Sequence, residues 1–171
     1  MLVGHSMGGI VVTEAADERA ASLNALIYVT AFVPKAGDSL LSLSMQDPDS
    51  ELGAALVVQQ DRGTAAVMSD KLVEVFRADC TGPEAQNLSA KYRDEPLLPF
   101  TEMAKLDDGG YASVPKFYLY AMEDHAISPA NQKQMTSGIT WTDTAQIQSS
   151  HSPFLSEPTM VTDQLAAFLS R

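Results

Sequence analysis

The chain opens on the segment MLVGHSMGG (residues 1–9), which decides its fold. Its first residues are apolar, as in a buried strand, and residues 10–21 are a helix-like stretch rich in Ala, Val and Glu. Between them lies a G-x-S-x-G pattern (residues 4–8), whose small residues permit a strained turn from a strand into a helix. The segment therefore predicts strand, tight turn and helix, with Ser6 exposed at the turn.

The glycines of this pattern are expected to serve the packing of the turn. Side chains that flank the serine would clash there, which predicts that Gly4 and Gly8 occupy crowded positions. Gly9 is expected to let the new helix pack close to its strand. Because a helix N-terminus favours negative charge, the backbone N–H of Met7 is the expected donor to the oxyanion that would form when Ser6 attacks a carbonyl carbon.

The rest of the chain repeats the alternation of strand and helix. Strand-like apolar segments cover residues 23–33, 114–121 and, more weakly, 142–148. Helical segments follow Ser128, a candidate N-cap, and cover residues 158–170. Strand, helix and strand in this order predict right-handed parallel crossovers. The expected fold class is α/β, a parallel sheet flanked by helices.

Residues 35–112 do not continue the alternation of apolar strands and helices. Polar turns separate short amphipathic pieces, among them residues 68–78, where Leu72, Val75 and Phe76 recur at helical spacing. We interpret this stretch as a helical cap inserted into the sheet. The whole chain, residues 1–171, is predicted to be a single domain.

Composition excludes several classes of function. Eleven basic against twenty-two acidic residues give a net charge of −11, which disfavours nucleic acid and anionic membrane surfaces as partners. The single cysteine, Cys80, allows neither an internal disulfide nor a thiolate zinc site, and it is expected to be a small buried apolar residue. With no signal peptide or membrane span in the pattern, the chain is predicted to be cytoplasmic.

A serine nucleophile needs a base, a group that orients the base, and oxyanion donors. An acid follows the strand at 114–121, and a histidine, His151, follows the weaker strand, which gives the chain order Ser, acid, His. Glu123 and Asp124 compete for the role of the acid, and Asp143 is a third candidate. His151 could instead be an ordinary loop histidine with its hydrogen bonds satisfied.

Other chemically interesting residues have simpler interpretations. His5 is expected to pack within the turn and His125 to be a solvated loop residue, and neither has the spacing of a metal ligand, so no metal and no cofactor are expected. Four large apolar residues are candidates for a substrate pocket or for plain core: Met45, Met68, Phe100 and Trp141.

Taken together, the motifs resemble the α/β-hydrolase fold, and specifically its small esterases, a branch similar to plant methylesterases and hydroxynitrile lyases. The segments that carry the resemblance are LVGHSMGG (2–9), IYVTAFVP (27–34), FRADC (76–80), EPLLPF (95–100), YLYAMEDHAISP (118–129) and SSHSPFLSEP (149–158). The resemblance implies Ser6 as nucleophile, Asp124 as the acid and His151 as the base. It also implies hydrolysis of a small carboxylic ester through an acyl-enzyme.

Two departures from that branch shape the expectations. The lyases carry a lysine directly after the catalytic histidine, where this chain has Ser152, which disfavours lyase chemistry. The family also has strands, and a loop with a second oxyanion donor, ahead of the serine strand. The chain is therefore expected to be a homo-oligomer or part of a longer polypeptide.

Two alternatives to ester hydrolysis by this chain remain open. One is a non-catalytic or truncated protein that needs a partner chain, and the other is hydrolysis of amides, thioesters or lactones.

Overall fold

The computed structural model describes residues 1–80, 90–107 and 110–171. The strands are β1 (Leu2–Ser6), β2 (Leu26–Ala31), β3 (Leu56–Gln59), β4 (Thr64–Val67), β5 (Glu95–Pro96), β6 (Lys116–Ala121) and β7 (Asp143–Ile147). The α-helices are α1 (Gly8–Arg19), α2 (Leu40–Ser44), α3 (Leu52–Ala55), α4 (Leu72–Arg77), α5 (Leu98–Thr101), α6 (Pro129–Thr136), α7 (Pro153–Ser156) and α8 (Pro158–Leu169). Short 3₁₀ turns cover Ala20–Ser22 and Tyr111–Ser113.

The main sheet has four parallel strands in the order β1-β2-β6-β7. Every residue of β2 and β6 is buried, as their largely apolar sequences predict for strands covered on both faces. Successive side chains of β2 point to opposite faces of the sheet. Tyr28 packs with Val12 of α1 on one face, whereas Ile27 lies in a cluster with Phe168 of α8 on the other. This arrangement confirms the predicted fold class.

The helix ends follow the sequence signals closely. Ser128 caps α6, because its side chain accepts a hydrogen bond from Asn131 N, and Gly138 lies just beyond the end of that helix with a φ of 77°. In α8, Val161 and Phe168 are buried against the sheet, whereas Leu169 is exposed. None of the helices in the described ranges is both long and apolar enough to cross a membrane.

The segment between β2 and β6, residues 35–112, is only partly helical. It contains the short helices α2 to α5, as expected, but also a three-stranded antiparallel sheet in the order β3-β4-β5, which the helical interpretation missed. The hairpin between β3 and β4 turns at Gly63, whose φ of 63° suits glycine. We call residues 35–112 the insertion.

Parallel strands end at one edge of the sheet, and this edge positions the site. Ser6 is the last residue of β1, Asp124 follows β6, and His151 follows β7. Residues that are distant in the sequence are therefore brought to one edge, where open α/β sheets characteristically bind ligands.

Candidate active site

Ser6 occupies a strained turn between β1 and α1. Its φ is 53°, in the left-handed region that costs a non-glycine residue about 1–3 kcal/mol. The register between β1 and β2 shifts at this residue, and the Ser6 carbonyl accepts a hydrogen bond from Phe32 N at 3.1 Å. Met7 follows with helical φ and ψ and begins α1. The geometry is that of a serine projecting from a sharp strand-to-helix turn.

Two glycines let α1 approach the sheet this closely. A Cβ on Gly4 would lie 2.7 Å from Val12 Cγ2, and a Cβ on Gly9 would lie 2.1 Å from the carbonyl oxygen of Phe32. Gly8 differs from the prediction, since a Cβ there would meet no described atom within 4 Å. The crowding arises where the helix crosses its own strand and the neighbouring one. The Gly8 carbonyl oxygen contributes to it, 2.8 Å from the Cβ position of Gly4, whereas the Cβ position of Gly8 itself faces open space.

His151 and Asp124 form a buried pair. His151 Nδ1 lies 2.8 Å from Asp124 Oδ2, and the two side chains are 2% and 0% exposed. A carboxylate accepts hydrogen bonds only, so Nδ1 carries the proton in this contact and Nε2 of the neutral ring is left as the acceptor. This is the orientation that a general base requires.

The Asp124 carboxylate is held on both of its oxygens. Oδ1 accepts hydrogen bonds from the backbone N–H groups of Ala126 (2.7 Å) and Ile127 (2.9 Å). Oδ2, which faces His151, also accepts a hydrogen bond from the Thr30 hydroxyl. Thr30 ends the regular part of β2 with a φ of 37° and is fully buried. The carboxylate can therefore neither rotate nor retract without losing several hydrogen bonds.

The three candidate acids lie in different surroundings. Asp124 is the carboxylate that contacts His151. Glu123 is the adjacent residue, and its backbone N–H donates to the Ser149 carbonyl at 3.0 Å. Asp143 begins β7, at the opposite end of that strand from His151, and it contacts Arg171 at 3.1 Å.

His5 contacts the backbone of His151 as well as its ring. His5 Nε2 lies 2.8 Å from the His151 carbonyl oxygen, and the two ring centroids are 4.7 Å apart. Burial, followed by the proximity of His151, lowers the pKa of His5 to about 4. His5 is therefore neutral at physiological pH and donates Nε2–H to the carbonyl. This contact adds a supporting role to the packing expected from the sequence.

Ser6, Met7 and His151 line one cavity of about 390 Å³. Apolar residues of the insertion and of α7 form much of the remaining wall, to which Arg77 and Glu95 add charged groups; the apolar residues are Leu40, Leu52, Leu56, Ala65, Val67, Phe76, Phe100, Phe154 and Leu155. Ligand sites typically have this composition, an apolar wall with a few polar groups. The site can accommodate a small apolar molecule next to the serine.

The remaining candidates lie elsewhere. Of the four large apolar residues singled out from the sequence, Phe100 lines the cavity, whereas Trp141 packs edge-on against Tyr28 and Tyr118 in the core. Met45 is largely exposed and Met68 partly so.

His125 and Cys80 lie outside the cavity. His125 is partly exposed, with Nδ1 3.3 Å from Glu51 Oε1, and Cys80 is buried. Among residues 1–80, 90–107 and 110–171, no three His, Cys, Asp or Glu side chains are grouped so that they could hold a metal ion.

Comparison with known families gives this geometry a context. A family described as "Alpha/beta hydrolase family" matches residues 1–164, which is most of the chain. The chain belongs to the alpha/beta hydrolase family. The match confirms the predicted family.

Curated relatives of this hydrolase carry the names of ester hydrolases. Methylesterase 2 of Arabidopsis thaliana is 25% identical over 178 residues, covering 98% of this chain and 68% of the relative. Pyrethroid hydrolase of Sphingobium wenxiniae is 26% identical over 176 residues, covering 98% of this chain and 62% of the relative. The chain thus spans about two thirds of the length of these proteins. Their names support the predicted enzyme class, a carboxylic ester hydrolase.

Solved structures show the same fold. A pyrethroid hydrolase from Sphingobium faniae JZ-2 superposes with a TM-score of 0.81 at 21% identity, over 98% of this hydrolase and 69% of that chain. A methylesterase from Arabidopsis superposes with a TM-score of 0.82 at 21% identity, over 99% of this hydrolase and 68% of that chain. At these identities the likeness establishes the fold.

Sequence reasoning missed two supports of the site in this hydrolase. Thr30 is a polar residue near the end of an otherwise apolar buried strand, and that polarity was a usable signal. Asp79, which accepts hydrogen bonds from Ser150, left no such signal because the two residues are 71 positions apart.

Proposed function

We propose that this chain is a serine hydrolase that cleaves small carboxylic esters through an acyl-enzyme intermediate. The observation that carries the proposal is the buried contact of 2.8 Å between His151 Nδ1 and Asp124 Oδ2, beside the cavity that Ser6 lines. The names of the relatives support the class of reaction. In this proposal Ser6 is the nucleophile, His151 the base and Asp124 the residue that orients the base.

The chemistry follows from these roles. His151 Nε2 accepts the proton of the Ser6 hydroxyl while Oγ attacks the ester carbonyl carbon. The resulting oxyanion accepts a hydrogen bond from the N–H of Met7 at the start of α1. When the carbon–oxygen bond to the alcohol breaks, His151 returns the proton to the leaving alcohol. A water molecule, activated by His151, then hydrolyses the acyl-enzyme and regenerates Ser6.

Asp124 acts without transferring a proton. Its carboxylate keeps the proton of His151 on Nδ1, so that Nε2 is free to accept, and it stabilises the imidazolium that forms in the transition state. The hydrogen bonds from Ala126, Ile127 and Thr30 keep the carboxylate in place during this cycle. The proposal requires no cofactor.

Labelling with a fluorophosphonate probe tests the nucleophile, because only an activated serine reacts rapidly. We expect wild type to be labelled and to hydrolyse short p-nitrophenyl esters, and Ser6→Ala to lose both properties. Ser44→Ala is the matched control, since Ser44 lines the same cavity on α2. Turnover above background in purified Ser6→Ala would refute the assignment of Ser6.

Two alternatives give different results in the same assays. A chain that needs a partner or a further segment for a second oxyanion donor would be labelled at Ser6 but would turn over esters slowly, because one missing donor costs ~10²–10³ in kcat. Preference for an amide, a thioester or a lactone would appear as faster turnover of that class with the same dependence on Ser6.

We further propose that β1 pairs with an additional strand, from a second copy or from a longer polypeptide. In the described part of the chain β1 pairs with β2 on one side, and Val3, its second residue, is exposed. An unpaired apolar edge favours association. Light scattering on the purified chain tests this, and a stable monomer with full esterase activity would contradict it.

A further inference from the structure

Asp79 connects the insertion to the loop that carries His151. It lies two residues beyond the end of α4, and its Oδ2 accepts a hydrogen bond from the backbone N–H of Ser150 at 2.9 Å. Its Oδ1 accepts a second hydrogen bond from the hydroxyl of the same serine. Ser150 is fully buried and directly precedes His151. One carboxylate therefore holds both the backbone and the side chain of the residue next to the proposed base.

The charge of Asp79 strengthens this contact. Burial raises the pKa of the Asp79 carboxyl, but the hydrogen bonds from Ser150 and Ser156 lower it and prevail, so the pKa is below its usual value. Asp79 is accordingly ionised at neutral pH. Hydrogen bonds to an ionised acceptor are roughly twice as strong as neutral ones.

A second residue of the same segment touches His151 itself. The Phe76 ring lies 5.7 Å, centroid to centroid, from the His151 ring, and Phe76 also lines the cavity. Phe76 and Asp79 are three residues apart at the end of α4, so one short segment contacts both the ring and the preceding backbone. In addition, His5 Nε2–H donates to the His151 carbonyl, and His151 Nδ1 lies 2.8 Å from Asp124 Oδ2.

We propose that Asp79 is a positioning residue, which fixes the backbone at Ser150 and thereby keeps His151 Nδ1 directed at Asp124 Oδ2. The insertion then has two roles, since it forms the wall of the cavity and also orients the base. The proposal rests on the function proposed above for His151. Loss of Asp79 should affect kcat more than KM. A misplaced base slows proton transfer, whereas the apolar wall that binds the substrate is unchanged.

Kinetics of three variants test the role. Asp79→Ala removes both hydrogen bonds, and we expect kcat to fall ~10- to 100-fold, the scale of a displacement of about 1 Å, with KM changed less than about twofold. Asp79→Asn keeps an oxygen acceptor for Ser150 N–H and should restore part of kcat. Ser150→Ala keeps the backbone bond and should have the smallest effect. The matched control is Asp38→Ala, since Asp38 also accepts from a backbone N–H of the insertion, that of Lys35 at 2.8 Å.

Proton NMR gives a readout that does not depend on turnover. A proton held between imidazole Nδ1 and a buried carboxylate resonates far downfield, and its signal persists only while exchange with water is slow. We expect this signal in wild type and Asp38→Ala, and a broadened or absent signal in Asp79→Ala. Asp79→Asn and Ser150→Ala extend the test to milder changes if Asp79→Ala fails to fold.

The outcomes separate this inference from the proposed function. A kcat and a downfield signal in Asp79→Ala equal to those of Asp38→Ala would overturn the role of Asp79, as would a loss confined to thermal stability. If wild type shows no labelling that depends on Ser6, the proposed function fails, and the NMR comparison still decides whether Asp79 orients His151.

Discussion

The Thr30 hydroxyl donates a hydrogen bond to Oδ2 of Asp124, the carboxylate oxygen that also faces His151 Nδ1 at 2.8 Å. A single oxygen therefore connects β2, the loop after β6 and the loop after β7. Thr30 makes this contact with its backbone in the unfavourable left-handed region, at a φ of 37°. Strain of this kind persists where the surrounding structure enforces it, and it is frequent at functional sites.

Two replacements of Thr30 distinguish the effect of its hydroxyl from that of its branched side chain. Thr30→Val preserves β-branching, and so leaves a similar backbone cost, but removes the donor to a buried carboxylate. We expect a loss of about 1–3 kcal/mol in the free energy of unfolding and a lower kcat. Thr30→Ser keeps the hydroxyl and should stay nearer to wild type in kcat. Urea unfolding and ester kinetics measure the two effects, and equal kcat values in the two variants would show that the hydroxyl is dispensable.

The identity of the acid is tested by two neutral replacements. Asp124→Asn cannot hold the proton of His151 on Nδ1 in the same way, so we expect kcat to fall roughly 10⁴-fold, as in the best-studied serine hydrolase triad. Glu123→Gln is the matched control at the neighbouring position and should retain most activity. A crippled Glu123→Gln together with an active Asp124→Asn would reverse the assignment.

The two glycines after the serine should respond oppositely to a methyl group. Gly9→Ala places a Cβ 2.1 Å from the Phe32 carbonyl oxygen, which α1 can avoid only by moving, so we expect about 3 kcal/mol of destabilisation. Gly8→Ala meets open space at the start of a helix and should leave stability unchanged or raise it by about 0.5 kcal/mol. Thermal unfolding of both variants measures this difference, and equal melting temperatures would argue against the close approach of α1.

His5 predicts a pH dependence of stability. Its pKa is lowered from 6.5 to about 4 in the folded chain, so the unfolded chain binds more protons between these values. The contribution of neutral His5 is fully present above pH 6.5 and is lost as the pH falls towards 4. Between pH 7.5 and 5 the loss from this group is about 2 kcal/mol.

Chemical denaturation at the two pH values measures that loss by difference. His5→Gln removes the titrating ring but retains a donor for the His151 carbonyl, so its stability should fall less between pH 7.5 and 5 than that of wild type. His125→Gln, at a partly exposed histidine outside the cavity, is the control for replacing an imidazole by an amide, and His5→Gln is compared with it as well as with wild type. Identical pH dependences in wild type and His5→Gln would contradict the proposed burial of His5 in its neutral form.

The sequence predicts those parts of the fold that local patterns determine. Largely apolar runs mark β2 and β6, and the small residues around Ser6 mark the turn into α1. The hairpin of β3 and β4 was missed because its strands have four residues each. In β3 the adjacent Val57 and Val58 are both exposed, and in β4 the alternation is limited to two buried residues, Ala65 and Val67, which is too short to indicate a strand. The helical spacing in neighbouring segments therefore led to the prediction of a wholly helical insertion.

The site was predictable at the level of candidate residues and not at the level of contacts. Glu123 and Asp124 are adjacent, so position after a strand favours neither, and the choice depended on a resemblance. The contact with His151 is a product of tertiary packing, as is the hydrogen bond between Asp79 and Ser150. Thr30 was marked in the sequence by its polarity within an apolar strand, but its hydrogen bond to Asp124 joins residues 94 positions apart and is likewise a product of tertiary packing.

The insertion joins β2 to β6, two strands that lie side by side in the sheet. The entropy of closing such a connection grows only with the logarithm of its length, so halving or doubling it changes the closure free energy by about 0.6 kcal/mol. An exchange of this segment for a shorter or longer one would therefore cost little in chain closure. Its main cost would be the loss of the buried clusters that residues such as Leu40 and Leu72 form with Phe32, Ile127 and Ala126. Asp79 sets one further condition on such an exchange, because the replacement must supply an acceptor to Ser150 if the loop that carries His151 is to keep its hydrogen bonds.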